Sequence, residues 1–172
     1  MLALAGCRRE APPPRAMSRA EVADVLGRLG IAPGLWEMRT AIVDAAGPNL
    51  PVEARRRMIG PRPTIRHCIT PEQASRPADH FLSGGGRPGC TYRGFALAGP
   101  RLTGTTICPG VTTRMSGTYR PRGFDARIEI DQRMPDGAIL TLSVASLGRR
   151  IGACPEQSPL RPAGAVREVP SA

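Results

Sequence analysis

Two neighbouring segments of this chain, residues 111–119 and 124–131, alternate between apolar and polar positions, the pattern of half-buried β-strands. The alternate positions that form the apolar face are Val111, Thr113, Met115 and Tyr119 in the first segment and Phe124, Ala126, Ile128 and Ile130 in the second. Residues 120–123 between them predict a turn. With Tyr119 opposite Phe124, one antiparallel register places Met115 against Ile128 on the apolar face and Arg114 against Glu129 on the polar face.

The alternation continues on both sides of this hairpin. A turn at Pro135-Asp136-Gly137 sets Ile130 against Leu142 and Ile128 against Val144. Upstream, residues 36–42 alternate in the same way, residues 64–69 form a short strand, and residues 45–63 form a loop with one helical turn. We therefore predict a mainly β (α+β) fold, in which six or seven strands form a curled antiparallel meander.

Two accessory helices are predicted near residues 19–29 and 71–82. Ser18 and Glu21 form the capping box of the first helix, and Thr70 caps the second with proline at its first position. The apolar face of the sheet has to be covered, either by curling of the sheet or by docking of one of these two helices. We predict one domain over residues 18–154, between a leader and Pro-rich tether at 1–17 and a disordered tail at 155–172.

Four cysteines in the predicted domain point to two disulfides, because their number is even and no pair has the two-residue spacing of a zinc or redox motif. Four cysteines allow three connectivities. Cys90 and Cys108 flank two strand-like runs around Gly99-Pro100, so an antiparallel hairpin brings them opposite each other. Cys68 is then left to pair with Cys154; four buried thiols are the structural alternative.

The segment Leu4-Ala5-Gly6-Cys7 resembles a bacterial lipobox, in which small residues precede a cysteine that is lipidated. We expect Cys7 to carry the lipid, with residues 8–16 as a tether. The protein is then expected in the periplasm, anchored to the outer membrane by this lipid alone. A small buried cysteine in a frayed terminus is the alternative.

The net charge of +10 results from 24 arginines and no lysine against 14 acidic residues. Such a chain attracts polyanions. Its six aromatic residues are too few and too scattered for a base-stacking surface, which argues against nucleic acid as a partner. The charge favours instead an anionic component of the envelope or an envelope protein, and it leaves the oligomeric state open.

Several short motifs occur in a fixed order across most of the chain. They are Gly34-Leu35-Trp36-Glu37, Cys68-Ile69-Thr70-Pro71-Glu72, the hairpin between Cys90 and Cys108, Gly117-Thr118-Tyr119, and Arg150-Ile151-Gly152-Ala153-Cys154. This order is similar to that of a bacterial family of exported proteins known as domain of unknown function 3617. The resemblance implies an envelope location, an antiparallel sheet and disulfides, and it brings no catalytic residues with it.

The chain offers no recognisable catalytic or metal-binding constellation. His67 and His80 lack a carboxylate cluster beside them, and Cys68 is assigned to a disulfide, so we predict no metal and no cofactor. Ser116-Gly117 lacks the flanking glycines of a nucleophile elbow. A cross-strand salt ladder explains the alternating charges of residues 125–133. We therefore predict that the protein is not an enzyme.

Two classes of function remain. In the first, the protein is a non-enzymatic envelope domain whose basic surface contacts a partner protein or an anionic polymer or lipid. In the second, the curled sheet holds an apolar small molecule in a cavity, as open-mouthed barrels do. The residues predicted to bound that cavity are Trp36, Met38, Met115, Ile128 and Leu142.

Overall fold

A single antiparallel sheet dominates the computed structural model, which describes residues 14–78 and 89–155. Its strands are β1 (Ala16–Met17), β2 (Gly34–Ala46), β3 (Gly60–Pro61), β4 (Ile65–Ile69), β5 (Thr91–Ala98), β6 (Arg101–Cys108), β7 (Val111–Arg120), β8 (Gly123–Arg133) and β9 (Ile139–Gly152). Three helices have both ends within the described residues: α1 (Arg19–Gly27), α2 (Val52–Met58) and α3 (Pro71–Ser75). Residues 77–78 are also helical. The strand order is β1-β5-β6-β7-β8-β9-β2-β3, and β4 also pairs with β2. The sheet is curled but not closed, and the predicted fold class is confirmed.

The part of the meander from β7 to β9 has the predicted register. Tyr119 lies opposite Phe124, Met115 opposite Ile128 and Arg114 opposite Glu129. In the next pair of strands, Ile128 lies opposite Val144 and Ile130 opposite Leu142. The turn into β9 contains Gly137 at φ +84°, a conformation that glycine adopts without strain. Alternation and short turns together fix these pairings.

Strand β2 joins the meander by pairing with β9, the last strand of the described residues. The pairing shifts register between Leu35 and Trp36 and again between Ile42 and Asp44. Leu35 and Val43 are the residues that break the alternation of this segment in the sequence, and β-bulges account for both interruptions. On its other edge, β2 pairs first with β4 and then with β3.

Helix α1 connects the two sides of the sheet and covers its inner face. Its capping box forms as predicted, with Ser18 Oγ accepting from the Glu21 backbone N–H and Glu21 accepting from the Ser18 N–H. Val22 and Leu26 on the buried side of α1 are fully inaccessible. They belong to one core cluster with Tyr92, Phe95, Leu102, Tyr119 and Ala126 of the sheet. The covering helix is thus the one that begins after Ser18.

Both predicted disulfides are present. Cys68 of β4 is bonded to Cys154, just beyond β9, and Cys90 is bonded to Cys108 at the end of β6. The first bridge spans 86 residues of the chain and the second spans 18. Each bridge joins segments that come together only in the folded sheet or hairpin.

Three predicted boundaries differ from the structure. The helix expected over residues 71–82 begins at Pro71 and is interrupted at Arg76, because Pro77 disfavours a helical conformation there. The first piece, α3, ends at Ser75, residues 77–78 are helical again, and residues 79–82 lie outside the described part. The predicted tether includes Ala16–Met17, which pair with β5 as β1. The segment 45–63 contains α2 and β3 as well as loop. Cys7, His80 and the predicted tail beyond residue 155 lie outside the described residues.

Within residues 14–78 and 89–155, no helix has the length and apolar character that crossing a membrane requires.

Candidate functional site

Trp36, predicted to line a ligand cavity, is sealed in the core. Its indole Nε1 donates to the backbone oxygen of Ala32 at 3.0 Å, and only 2% of the residue is exposed. Its ring stacks on Phe124 with the ring centroids 6.4 Å apart, and Phe124 in turn stacks on Tyr119 at 5.3 Å. Burial raises the pKa of the Tyr119 hydroxyl to about 12. The aromatic group therefore packs this end of the sheet.

The other four predicted ligand residues are only partly buried. Met38, Met115, Ile128 and Leu142 lie on the inner face, because they share strand parity or direct register with the residues packed under α1. Met115 packs against the edge of the core cluster. Ligand binding by this half-buried apolar surface stays a prediction.

The outer face of the sheet contains a buried carboxylate that the sequence reasoning missed. The Glu37 side chain is 4% exposed, and three arginines surround it. Its Oε1 accepts from Arg39 at 3.0 Å and from Arg149 at 3.1 Å. Its Oε2 accepts from Nε and a terminal nitrogen of Arg66, at 3.1 and 2.9 Å. We call these four residues the Glu37 site.

The strand pairings place these side chains together. Glu37 on β2 lies opposite Arg66 on β4 and opposite Arg149 on β9, and Arg39 follows two residues later on the same face of β2. The guanidinium groups hold the pKa of Glu37 below its ordinary value, chiefly through the hydrogen bonds from Arg66. The arginine side chains themselves remain 60–64% exposed. The carboxylate therefore lies beneath a layer of cations that faces the solvent.

Sequence reasoning missed the Glu37 site because its members are far apart in the chain. Arg66 is 29 residues from Glu37 and Arg149 is 112 residues away. Glu37 occupies an ordinary polar position of an alternating strand, and that pattern predicts an exposed residue. The Glu37-x-Arg39 spacing was the one local signal, since residues i and i+2 of a strand share a face.

Three further arginines extend the positive surface across the same face. Arg101, Arg120 and Arg127 line a depression of about 350 Å³ together with Ser116, Thr118 and Asp125. All three arginines are exposed, and none forms an ion pair with another described residue. Leu147 lies between the Glu37 site and this second group of arginines, because it is opposite Arg39 on one side and opposite Asp125 on the other. We call the six residues Arg39, Arg66, Arg101, Arg120, Arg127 and Arg149 the arginine face.

A second ionic cluster lies on the same face with the opposite balance of charge. Arg114 donates to Glu129 and to Asp131, each at 2.7 Å, and Thr141 donates to Asp131 at 2.8 Å. The hydrogen bond from Arg114 lowers the pKa of Asp131 and raises that of the guanidinium. The predicted salt ladder is thus present for Glu129 and Asp131. We call Arg114, Glu129 and Asp131 the Arg114 cluster.

The remaining candidate residues occupy separate places. His67 lies on β4 opposite Trp36, and Cys68 beside it is in a disulfide. Ser116 lies on the exposed face of β7. Within the described ranges, no three histidine, cysteine, aspartate or glutamate residues form a group suited to a metal ion.

Comparison with known proteins yields one family match. The family model described as "Protein of unknown function (DUF3617)" matches residues 31–154. Neither the curated proteins nor the solved structures contain a match to the chain. The matched region extends from just before β2 to Cys154, so it includes both disulfides and the whole Glu37 site.

Proposed function

The chain belongs to the DUF3617 family of proteins of unknown function, and from that premise we propose that it is a non-enzymatic binding protein of the cell envelope. We propose further that it holds an anionic envelope polymer against the arginine face. Two disulfides support an oxidising compartment, since such bridges persist in the periplasm and are rare in the cytosol. Lipid on Cys7 would anchor the protein to the outer membrane.

The observation that carries this proposal is the uneven distribution of charge on the outer face. Among the described residues, the two depressions of the arginine face are lined by five arginines and only two carboxylates, those of Glu37 and Asp125, and Arg66 adds a sixth cation beside Glu37. The cations extend from β4 to β6, six neighbouring strands, or roughly 24 Å at the usual strand spacing. A row of this length contacts several charges of a linear polyanion at once.

The chemistry of the arginine face favours binding over catalysis. Guanidinium groups remain protonated at all physiological pH values, so they do not exchange protons with a substrate. They do form paired hydrogen bonds with phosphate, sulfate and carboxylate groups. The hydroxyls of Ser116 and Thr118 lie among the arginines of the larger depression and add neutral donors for a sugar or polyol backbone.

The first experiment tests the polymer contact with a triple variant, Arg101→Gln, Arg120→Gln and Arg127→Gln. These side chains have no ion pair among the described residues, so their removal leaves the fold intact. We expect the affinity for polyphosphate and dextran sulfate to fall at least about tenfold at low salt, with a weaker salt dependence. Binding is measured by titration calorimetry, with neutral dextran as the blank.

The matched control removes the same charge elsewhere, through Arg28→Gln, Arg57→Gln and Arg133→Gln. Arg28 and Arg57 lie outside the sheet, and Arg133 lies six residues from Arg127, roughly 20 Å along β8. An equal loss in both triple variants would show that net charge alone attracts the polymer. Binding to anionic vesicles without any binding to polymer would replace the proposed partner with a lipid surface.

The proposed location has an independent test. Mass spectrometry of protein from its native host is expected to show acylation at Cys7 and the mass of two oxidised bridges. Free Cys68, Cys90, Cys108 and Cys154 in native material would contradict the proposed compartment.

A second candidate function is the transport of an apolar small molecule on the inner face. It is favoured by the partial burial of Met38, Met115, Ile128 and Leu142 next to a core that α1 covers. Leu142→Arg is expected to abolish binding of a fluorescent fatty acid while leaving polymer binding unchanged. No saturable binding by the unaltered protein would exclude this candidate.

A further inference from the structure

The Glu37 site has more positive charge than a structural ion pair needs. Three guanidinium groups surround one carboxylate, which leaves a surplus of two positive charges. Each guanidinium has five N–H donors. Arg39 and Arg149 each use one of them on Glu37, and Arg66 uses two. Most donors of the site therefore have no partner among residues 14–78 and 89–155 and are open to an anion from solution.

Glu37 gathers the three arginines without neutralising them. Each of its oxygens accepts two hydrogen bonds, one oxygen from Arg39 and Arg149 and the other from Arg66 alone. Like charges placed this close repel one another, and the buried carboxylate offsets part of that repulsion. The guanidinium groups are thus held together on the outer face before any ligand arrives, which reduces the entropy that binding has to overcome.

We propose that the Glu37 site binds a phosphate monoester group of the anionic polymer, an inference that rests on the proposed function. A phosphate monoester carries between −1.5 and −2 charges near pH 7, which matches the surplus of the site. A phosphodiester or a carboxylate carries only one negative charge and leaves the site partly uncompensated. Arginine also matches phosphate geometry through paired hydrogen bonds.

A small depression beside Glu37, lined by two of the three arginines of the site, also selects a small group. Glu37, Arg39, Leu147 and Arg149 line a depression of about 50 Å³, whereas the neighbouring depression around Arg101 and Arg120 is about 350 Å³. The first volume admits a group of a few atoms, and the second admits a larger portion of a polymer. Arg149 and Arg120 both lie in register with Gly123, so the two depressions are about two strand spacings apart, roughly 10 Å. The Glu37 site would therefore bind a substituent while Arg101, Arg120 and Arg127 hold the backbone.

In this proposal Glu37 is a positioning residue, which makes the sign of one mutational effect informative. Glu37→Gln raises the net charge of the site by one, so attraction alone predicts tighter binding of phosphate. A positioning role predicts weaker binding, because the neutral amide no longer holds three guanidinium groups together. We expect phosphate affinity to fall about tenfold in Glu37→Gln despite the added positive charge.

The experiment follows the arginine Nε–H resonances of the full chain by NMR during titration with inorganic phosphate, dimethyl phosphate and acetate. The resonances of Arg39, Arg66 and Arg149 are expected to shift saturably with phosphate, and about tenfold more tightly than with dimethyl phosphate. Arg114, which two carboxylates already occupy, is expected not to shift. Equal shifts at every exposed arginine would overturn the proposal.

Two variants protect the test against misfolding. Arg149→Gln alters an exposed side chain and is expected to weaken phosphate binding about tenfold, whereas Arg114→Gln removes the same charge and is expected to leave it unchanged. For Glu37→Gln, an unchanged backbone spectrum and unchanged polymer binding through Arg101, Arg120 and Arg127 show that the variant is folded. A loss of phosphate affinity in such a folded variant is then due to the Glu37 site. Unchanged phosphate binding in Arg149→Gln overturns the proposal.

The outcomes also separate this inference from the proposed function. Saturable phosphate binding at the Glu37 site in a protein that binds no polymer would refute the polymer and leave a free phosphate site. Polymer binding that depends on Arg101, Arg120 and Arg127, without saturable phosphate binding at Arg39, Arg66 and Arg149, would refute the phosphate site alone.

Discussion

Strands β2, β8 and β9 are built on the same alternation of polar and apolar residues. The end of the sheet near Trp36 and the end near Leu142 nevertheless differ on both faces. At the Trp36 end, α1 and the aromatic residues seal the inner face, and the outer face has one buried acid among three arginines. At the Leu142 end, the inner face is half-buried, and the outer face has one arginine between two acids. Alternation therefore fixes which residues point outward, while the ratio of cations to anions decides whether they form a closed ladder or a surface open to a ligand.

The largest expected effects concern the disulfides, of which each end of the sheet has one. Replacing Cys68 and Cys154 by serine opens an 86-residue loop at the Trp36 end, and replacing Cys90 and Cys108 opens an 18-residue loop. On the chain-entropy model, the free energy of unfolding falls by between about 4 and 5 kcal/mol in the first case and by about 3 kcal/mol in the second. Urea unfolding followed by circular dichroism measures both, and a larger loss from the short loop would contradict the model.

The second prediction compares the inner faces of the two ends. Leu26→Ala creates a cavity in a fully buried core and is expected to cost about 3 kcal/mol in the free energy of unfolding. Leu142→Ala at the half-buried end is expected to cost about 1 kcal/mol, because less apolar surface loses its contacts. Denaturant midpoints at equal slope give the two values. Equal costs would show that the Leu142 end is packed as tightly as the Trp36 end.

The third prediction compares the two ionic clusters. Glu37→Gln leaves three guanidinium groups around a neutral side chain and is expected to lower the thermal midpoint by several degrees. Asp131→Asn removes one of two carboxylates from an exposed arginine and is expected to lower it by only about 2 °C. Differential scanning calorimetry measures the thermal midpoints of both variants and of the unaltered protein. A smaller effect at Glu37 would mean that its carboxylate does not hold the arginines together.

The smallest predicted effect is a dependence of stability on pH at the acidic side. The pKa values of Glu37 and Asp131 are below the ordinary 4.5 and 3.8 because arginines donate hydrogen bonds to both carboxylates. Their contribution to stability is complete above those ordinary values and is lost as the pH falls through the lower values of the folded state. The free energy of unfolding should therefore decline below about pH 4.5, and less steeply in Glu37→Gln. An unchanged slope in that variant would contradict the assignment.

The sequence was sufficient for the meander because its information is local. The pairings of Tyr119 with Phe124 and of Ile130 with Leu142 follow from alternation and from turns of a few residues. The start of α1 follows from the Ser18 capping box. Hairpin geometry likewise made Cys90 and Cys108 partners. In each case, the residues that decide the structure lie within about twenty positions of one another.

The Glu37 site could not be predicted from the sequence, because no local pattern shows that Arg66 and Arg149 reach the same carboxylate. Only the pairing of β2 with both β4 and β9 does so. The break at Arg76 is a different case, since Pro77 was a visible signal that the predicted helix is interrupted there. Trp36 was predicted to line a ligand cavity but is buried, whereas Met38 on the same face of β2 is half-buried. The alternation of apolar residues shows which face a residue is on, but it does not show how deeply the residue is buried.

The pairing of β2 with β9 has a consequence for the order in which the molecule folds. Glu37 and Arg149 are 112 residues apart, so the sheet described here cannot be completed until β9 has been synthesised. Contacts of such long range form slowly because the intervening chain has to be confined first. Until β9 is available, β2 and β8 both lack the strand that joins them in the sheet.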